Sequence, residues 1–510
     1  MTRSIRSVSH GSVHFNVARK LREIDGEIDG GLRDGFGRTG APMSGIDQAL
    51  VEIDRGLGSG SVITDPDVLR AFSIDESETT PRVPDAAVRV RSSADVACVM
   101  RAASAHAVPV TPRGGGTGRT GGSVPVAGGI VLSFERMAAL KDIERDNLIV
   151  VVEPGLITGK LHEAVEAEGL FYAPDPNSLA GCALGGNVAE NAGGPRTLRY
   201  GPTRDWVLGM EMVTAEGQIL RLGKRTPKGV TGYDLTSLVV GSEGTLGVVT
   251  EATLKLVPKP EAVATLLALL PDLPSAGRAI TTILRGGLLP RCLELLDEQT
   301  LAVVRPDAAL PLDARARALL LLELDGDAGA LDAQSERAGN ALLEAGAFDV
   351  LVARHGGERD RLWSARRELT RSLRKLAKFK LSEDVVVPRN RIPDLIDACA
   401  RISEAHGIAM PSYGHAGDGN IHVNFLWNDV SERPRVDRAI EALFRETIAL
   451  GGTLSGEHGI GVLKAPFLPL EQSPELIALQ ERVKAVFDPK GIMNPGKIFP
   501  AHVWRFHGAC

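Results

Sequence analysis

Short apolar runs broken by glycine fill the stretch from about Pro81 to Pro260. Val88–Val90, Val108–Thr111, Ile130–Phe134, Leu148–Glu153, Ile219–Leu222, Leu238–Val240 and Gly247–Lys255 read as strands, being too short for ordinary helices. Two longer segments, Ser93–Ala105 and Ile157–Glu168, repeat their apolar positions at helical spacing. This is a mixed α+β pattern. Val257-Pro258-Lys259-Pro260 marks a boundary. Beyond it strand and amphipathic helix alternate: Ala264–Leu270 (strand), Ser275–Leu284 (helix), Arg291–Leu296 and Ala318–Leu324 (strands), Ala330–Glu344 (helix). That rhythm predicts a second α+β domain with its helices on one sheet face. Residues 1–47 read as a disordered tail, glycine-rich from Gly26 to Gly45, with order beginning near Ile46. The remainder divides into 48–260 and 261–500.

Composition narrows the function. A chain of 510 residues, 43% hydrophobic and 24% charged, is an ordinary globular protein of two or three domains. Its net charge of −6 and few aromatic residues argue against nucleic-acid binding, which needs a positive surface and stacking rings. Five scattered cysteines, at 98, 182, 292, 399 and 510, fit free thiols in a reducing compartment and offer no local iron–sulfur or zinc-finger motif. No apolar run is long enough to span a bilayer. A cytoplasmic location is expected, with peripheral membrane association left open. Residues 1–22 are basic without an acid, which leaves mitochondrial import open beside the reading as a mixed-charge tail. Glycine is abundant, 57 residues, against a usual level of about 7%.

The glycines cluster. Thr111-Pro-Arg-Gly-Gly-Gly-Thr-Gly-Arg-Thr-Gly-Gly-Ser123 contains a literal GxGxxG at Gly116–Gly121. A dinucleotide fingerprint must open a helix, but Pro125 and another strand follow here. A Walker A loop lacks its lysine. Successive glycine N–H groups can still cradle a phosphate, aided by Arg113 or Arg119; the alternative is a flexible surface loop. Two more loops, Ala180–Gly194 and Gly241–Gly247, are similarly rich in Gly or Asn. Three such loops suggest one large ligand wrapped by backbone.

The second half carries the candidate chemistry. In Tyr413-Gly-His-Ala-Gly-Asp-Gly-Asn-Ile-His-Val-Asn424 a Gly-Asp-Gly-Asn turn predicts a hairpin that folds His415 and His422 together, with Asn424 on the face of His422. Ser455-Gly-Glu-His-Gly-Ile-Gly461 supplies Glu457 as a third ligand and His458 beside it. Two imidazoles and a carboxylate suit Zn²⁺, or Mn²⁺ or Fe²⁺. A neutral His458 next to that cation is a candidate base. Structural histidines at turns, or a metallohydrolase, fit the same residues.

Between Arg354 and Lys380 ten basic residues face three acids, with leucines at helical spacing. The segment reads as an amphipathic helix placing Arg366 and Thr370 on one face. It can serve as a solvated basic face, a docking surface, or an anchor for an anion.

In order, Pro112–Gly118, Glu153-Pro-Gly155, Ala173-Pro-Asp-Pro176, Gly181–Gly194 and Gly241–Thr250 resemble the FAD-binding domain of the vanillyl-alcohol-oxidase flavoprotein superfamily. The resemblance implies that Pro112, Arg113, Gly114, Gly115, Gly116, Thr117 and Gly118 hold the FAD pyrophosphate. It also implies that Pro174, Gly181, Gly185, Asn187, Asn191, Gly193, Val248 and Val249 line the rest. The first loop has no histidine for covalent attachment, so FAD is expected to be noncovalent. Tyr413–Asn424, Ser455–Gly461 and Phe487–Lys497 are similar to the C-terminal domain of FAD-linked D-2-hydroxyacid dehydrogenases, a group acting on D-lactate, glycolate or D-2-hydroxyglutarate. This implies an α+β, two-domain flavoprotein: a PCMH-type FAD-binding domain and a ferredoxin-like α+β substrate (cap) domain. It assigns His415, His422 and Glu457 as metal ligands and His458 as base. Arg366 becomes the carboxylate anchor, with Thr370, Lys380 and Asn424 as further substrate contacts, and Asn494 and Lys497 belong to a motif that returns to the flavin. The expected reaction is oxidation of a D-2-hydroxyacid, D-lactate foremost, with glycolate or D-2-hydroxyglutarate as alternatives. The expected electron acceptor is a quinone, a cytochrome, an electron-transfer flavoprotein or an iron–sulfur subunit. A homodimer is left open, as is a noncatalytic FAD-binding electron-transfer subunit.

Overall fold

The computed structural model describes residues 43–499; the transit-peptide reading of 1–22 and Cys510 lie outside them. The first helix, Gly45–Leu57, begins one residue before the expected Ile46, capped by Ser44 in a reciprocal box with Asp47. The last residues assigned to the tail are therefore helical.

Two main sheets build the first half, beside a two-stranded pairing of Leu170–Phe171 with Val257–Pro258. In the smaller, Ala86–Arg89, Ile130–Ser133 and Val110–Arg113 run parallel, with the short strand Val62–Ile63 antiparallel at one edge. Helices Gly45–Leu57 and Ser93–Ala105 bury Ile53, Val96 and Met100 against Val88, Val110 and Leu132. The larger sheet is antiparallel, in the order Leu140–Glu144, Ile149–Val152, Val248–Lys255, Val207–Val213, Ile219–Gly223. Leu238–Val240, expected as a strand, instead ends the helix Leu235–Val239, which Asp234 caps through Ser237 N–H. An apolar run this short carries no period to separate helix from strand.

The second half is a seven-stranded antiparallel sheet. Its order is Asp349–Ala353, Ala262–Leu270, Ala318–Gly326, Cys292–Leu296, Ser412–His415, Asn420–Trp427, Phe379–Val386. The first four strands have the 4-1-3-2 arrangement of a ferredoxin-like unit. Helices cover both faces, not one. Leu273–Arg285, Ala328–Glu344, Ile392–His406 and Arg433–Ala449 pack on Leu266, Leu295, Leu320 and Phe425. Glu298–Val304, Gly356–Arg367 and Leu369–Leu376 pack on Leu267, Leu296, Leu319 and Leu321. The basic segment is thus two helices meeting at Glu368, and Lys380 lies on the strand Phe379–Val386. Leucine spacing alone does not reveal a break between two turns that both remain helical.

The chain then returns to its beginning. Val110 N–H donates to Ile492 O and Asn494 N–H to Val110 O, each at 2.8 Å. Ile492 and Met493 enter the core of the first sheet.

Candidate functional site

The three glycine-rich loops meet in one cleft. Pro112–Gly118, Gly185, Asn187, Gly193, Val248 and Val249 line it, and so do Glu457 and His458 from the second half. Close approach explains the glycines. A Cβ on Gly115 would stand 2.2 Å from Gly181 O, and one on Gly185 2.6 Å from Pro154 Cβ. The second loop is partly helical, Leu184–Glu190, ending on Asn191 in the left-handed region at φ 55°. Glu190 also lines the cleft; burial and the nearby Glu243 push its carboxyl well above the usual range.

Some expected residues stand behind the wall rather than in it. Pro174 O takes a hydrogen bond from His162 Nε2 at 2.9 Å. Gly181 presents its carbonyl to Gly115, and Asn191 Oδ1 accepts Arg204 N–H. Asn494 Nδ2 donates to Gly122 O and Glu243 O, tying two loops together. Lys497, fully buried and lowered to about 8 mainly by that burial, donates to Val124 O at 2.7 Å.

One face of the seven-stranded sheet carries the polar cluster. Leu293, Leu295, Ile421, Val423 and Phe425 point to the opposite core, so alternation turns Glu294, His422 and Asn424 the other way. The hairpin pairs Tyr413 with His422 and His415 with Asn420. His415 and His422 lie with ring centroids 5.2 Å apart. Glu457 Oε1 stands 3.6 Å from His415 Nε2 and 3.5 Å from His422 Nε2. These spacings approach the edge, roughly 3.3 Å, of a tetrahedron with ligands at ~2.0–2.1 Å. Both Nε2 atoms are buried without a hydrogen-bond partner among the described residues. Such orphans cost free energy unless something is bound between them. The donor set fits a divalent cation.

Two buried acids that the sequence reading missed organise this cluster. Glu294 faces His415 Nδ1 and also takes Arg366 Nε at 2.7 Å. Although burial opposes it, His415 and Arg366 hold Glu294 down at about 2. Arg366 lies over the Tyr413 ring, and its Nη2 has no hydrogen-bond partner among the described residues. Asp384, opposite His422 in the strand pair, accepts the N–H groups of Gly456, Glu457 and His458 and the ammonium of Lys464. Burial keeps His458 below its ordinary value against the pull of Asp384 and Glu457. An acid inside an apolar strand run, as in Cys292-Leu-Glu-Leu-Leu296, was the available signal.

Asn424 Nδ2 donates to Pro411 O and His422 O, leaving Oδ1 buried and unpartnered. Lys380 pairs with Leu426 and shares the site face with Asp384; burial first, then Arg119 and Arg374, lower it to about 8. The side chain of Thr370 lies outside the described residues.

Comparison with known proteins agrees with this architecture. Residues 84–223 match the FAD binding domain, and residues 259–498 match the C-terminal domain of FAD linked oxidases. Glycolate oxidase subunit GlcD of Bacillus subtilis is 41% identical over 84% of this chain and 92% of its own. D-lactate dehydrogenase of Anaerostipes hadrus is 33% identical over 88% and 97%. The structure of 4-ethylphenol oxidase from Gulosibacter chungangensis, in complex with isoeugenol, superposes with a TM-score of 0.74. That likeness is at 22% identity and covers 91% of this chain and 99% of that one. A PCMH-type FAD-binding domain joined to a ferredoxin-like domain that closes over its cleft makes this chain an enzyme of the FAD-linked oxidase family.

Proposed function

We propose that this enzyme oxidises a small D-2-hydroxyacid, D-lactate foremost, to the 2-oxoacid, using noncovalent FAD and one divalent cation, Zn²⁺ by its N₂O donor set. One observation carries the reading: Glu457 and His458 open into the same cleft as Pro112–Gly118, with the orphaned nitrogens of His415 and His422 beside Glu457. The relatives named for D-lactate and glycolate supply the substrate class, and glycolate is the second reading because the 41% identical relative bears that name.

Arg366 offers Nη2 to the substrate carboxylate while Glu294 fixes its Nε edge. Asn424, whose Oδ1 has no hydrogen-bond partner among the described residues, and Lys380, on the same sheet face, are further candidate substrate contacts. His415, His422 and Glu457 would hold the cation, whose Lewis acidity would make a nearby hydroxyl proton easier to remove. His458 takes the hydroxyl proton at a ring nitrogen, the O–H pair becomes the second C=O bond, and C2 releases its hydrogen with both electrons. FAD supplies the acceptor for that hydride. Main-chain N–H groups of the first loop bind the pyrophosphate. That loop contains no histidine, which supports noncovalent binding. Electrons leave to an external quinone, cytochrome, electron-transfer flavoprotein or iron–sulfur subunit. Among the described residues no helix is long and apolar enough to cross a membrane.

The test is anaerobic addition of D-lactate, glycolate, D-2-hydroxyglutarate and the L forms to the yellow holoenzyme. Bleaching by D-lactate and not L-lactate is expected. An intact flavin band with every acid would refute the reading.

A further inference from the structure

The hydrogen bonds around Asp384 all point one way. Its carboxylate is fully buried, and its hydrogen-bond partners among the described residues are all donors: the N–H groups of Gly456 (2.9 Å), Glu457 (2.7 Å) and His458 (3.0 Å), the Ser455 hydroxyl (3.2 Å) and the Lys464 ammonium. His458 Nδ1 lies 3.3 Å from Asp384 Oδ1. An ionised carboxylate among five such donors favours a hydrogen on the ring nitrogen that lies nearest it. The His458 ring also stacks on His422, with centroids 5.5 Å apart and planes 20° from parallel, which resists rotation. Thr120 Oγ1 holds His458 O at 3.0 Å, fixing the backbone from the other domain.

We infer that Asp384 is a positioning residue for His458: it fixes the imidazole as the Nδ1–H tautomer and turns a bare Nε2 towards the cleft. A neutral imidazole has one lone pair available for a proton, and the tautomer decides which nitrogen holds it. With Nδ1 committed to Asp384, Nε2 is the basic atom. The same carboxylate gathers the backbone of residues 456–458, so one side chain sets both the place and the polarity of the base. Lys464, which also donates to Leu454 O at 2.8 Å, balances the buried charge.

This rests on the reading of His458 as the base, and two measurements separate the ideas. Nitrogen-15 NMR of histidine-labelled wild-type holoenzyme, with His458 assigned by comparison with His458→Gln, reads the tautomer without any turnover. A protonated Nδ1 and bare Nε2 are expected; a proton on Nε2 would overturn the inference. The second measurement follows anaerobic flavin reduction by D-lactate, glycolate and D-2-hydroxyglutarate. Asp384→Asn is expected to keep its FAD and metal content and its KM within about twofold while reduction slows at least ~100-fold. In a His458→Ala background the same change should slow reduction only a few-fold, the share owed to the 456–458 backbone, because the larger effect passes through the imidazole. An equal slowing in both backgrounds would refute positioning. If His458→Ala alone leaves the rate unchanged, the base assignment fails, and the tautomer measurement still decides the role of Asp384.

Discussion

Glu294 grips Arg366 with one carboxylate oxygen and faces His415 with the other. The proposed anchor for the substrate and the proposed ligand for the cation are therefore oriented by a single buried acid. A second carboxylate behind a ligating histidine fixes its tautomer and orientation. Glu294→Gln should weaken zinc binding about 10- to 100-fold and raise KM in the same variant. Zinc-to-flavin ratios after mild chelation check the first effect; an unchanged ratio would show that His415 needs no such support.

Arg366 has its Nε held by Glu294 and its Nη2 unpartnered among the described residues, so its fork is placed to bridge protein and ligand. Lysine cannot do both. Arg366→Lys should raise KM about 10- to 100-fold, the value of a charge-assisted hydrogen bond of roughly 1.5–3 kcal/mol, with a smaller change in kcat. Steady-state kinetics with D-lactate tests this, and an unaltered KM would remove Arg366 from the substrate.

Gly115 touches main chain, not a movable side chain. Its Cβ position lies 2.2 Å from Gly181 O and 3.2 Å from Cys182 Cα. Gly115→Ala should separate the first two loops, giving a folded protein that purifies with little or no yellow colour. Full flavin occupancy would mean that these loops do not clasp the cofactor.

His162 supports the wall segment at Pro174. Burial, then Arg196, lowers it to about 4 from 6.5, while the bond to Pro174 O resists. Protonation therefore favours the unfolded chain. The stabilisation is complete above pH 6.5 and is lost as pH falls towards 4, by about 3 kcal/mol in all. His162→Gln keeps a donor for Pro174 O without titrating. Its Tm should fall less steeply than that of the wild type between pH 6.5 and 4.5; parallel curves would exclude His162 as a source of acid sensitivity.

The sequence made the repeating parts legible. Ser93–Ala105 stands as a helix with the predicted bounds, and the Gly-Asp-Gly-Asn turn joins the His415 and His422 strands, because both signals are local. Glu294 and Asp384 escaped because their importance depends on which strand lies alongside: Glu294 pairs with His415, and Asp384 with His422. Pairing between strands distant in the chain leaves no spacing to read. Pro174, Gly181 and Asn191 sit in loops whose neighbouring residues line the cleft, yet a loop's residues divide between cleft side and support side only once neighbouring backbone is in place. The helices on the second face of the later sheet were hidden for a related reason: Glu298–Val304 is too short for its amphipathic period to declare itself, and the amphipathic 354–380 segment carries no local sign of which sheet face it covers.

The return of Ile492–Asn494 to Val110 has a consequence for biogenesis. Val110–Arg113 is the outermost strand of its sheet, and among the described residues its open edge is bridged at Val110 by Met493, far along the chain. A ribosome must have synthesised through Met493 before the strand leading into the glycine cradle is covered. Until then a nascent chain exposes an edge able to pair with other chains, so pigment capture by the early half is expected to follow translation of the late half.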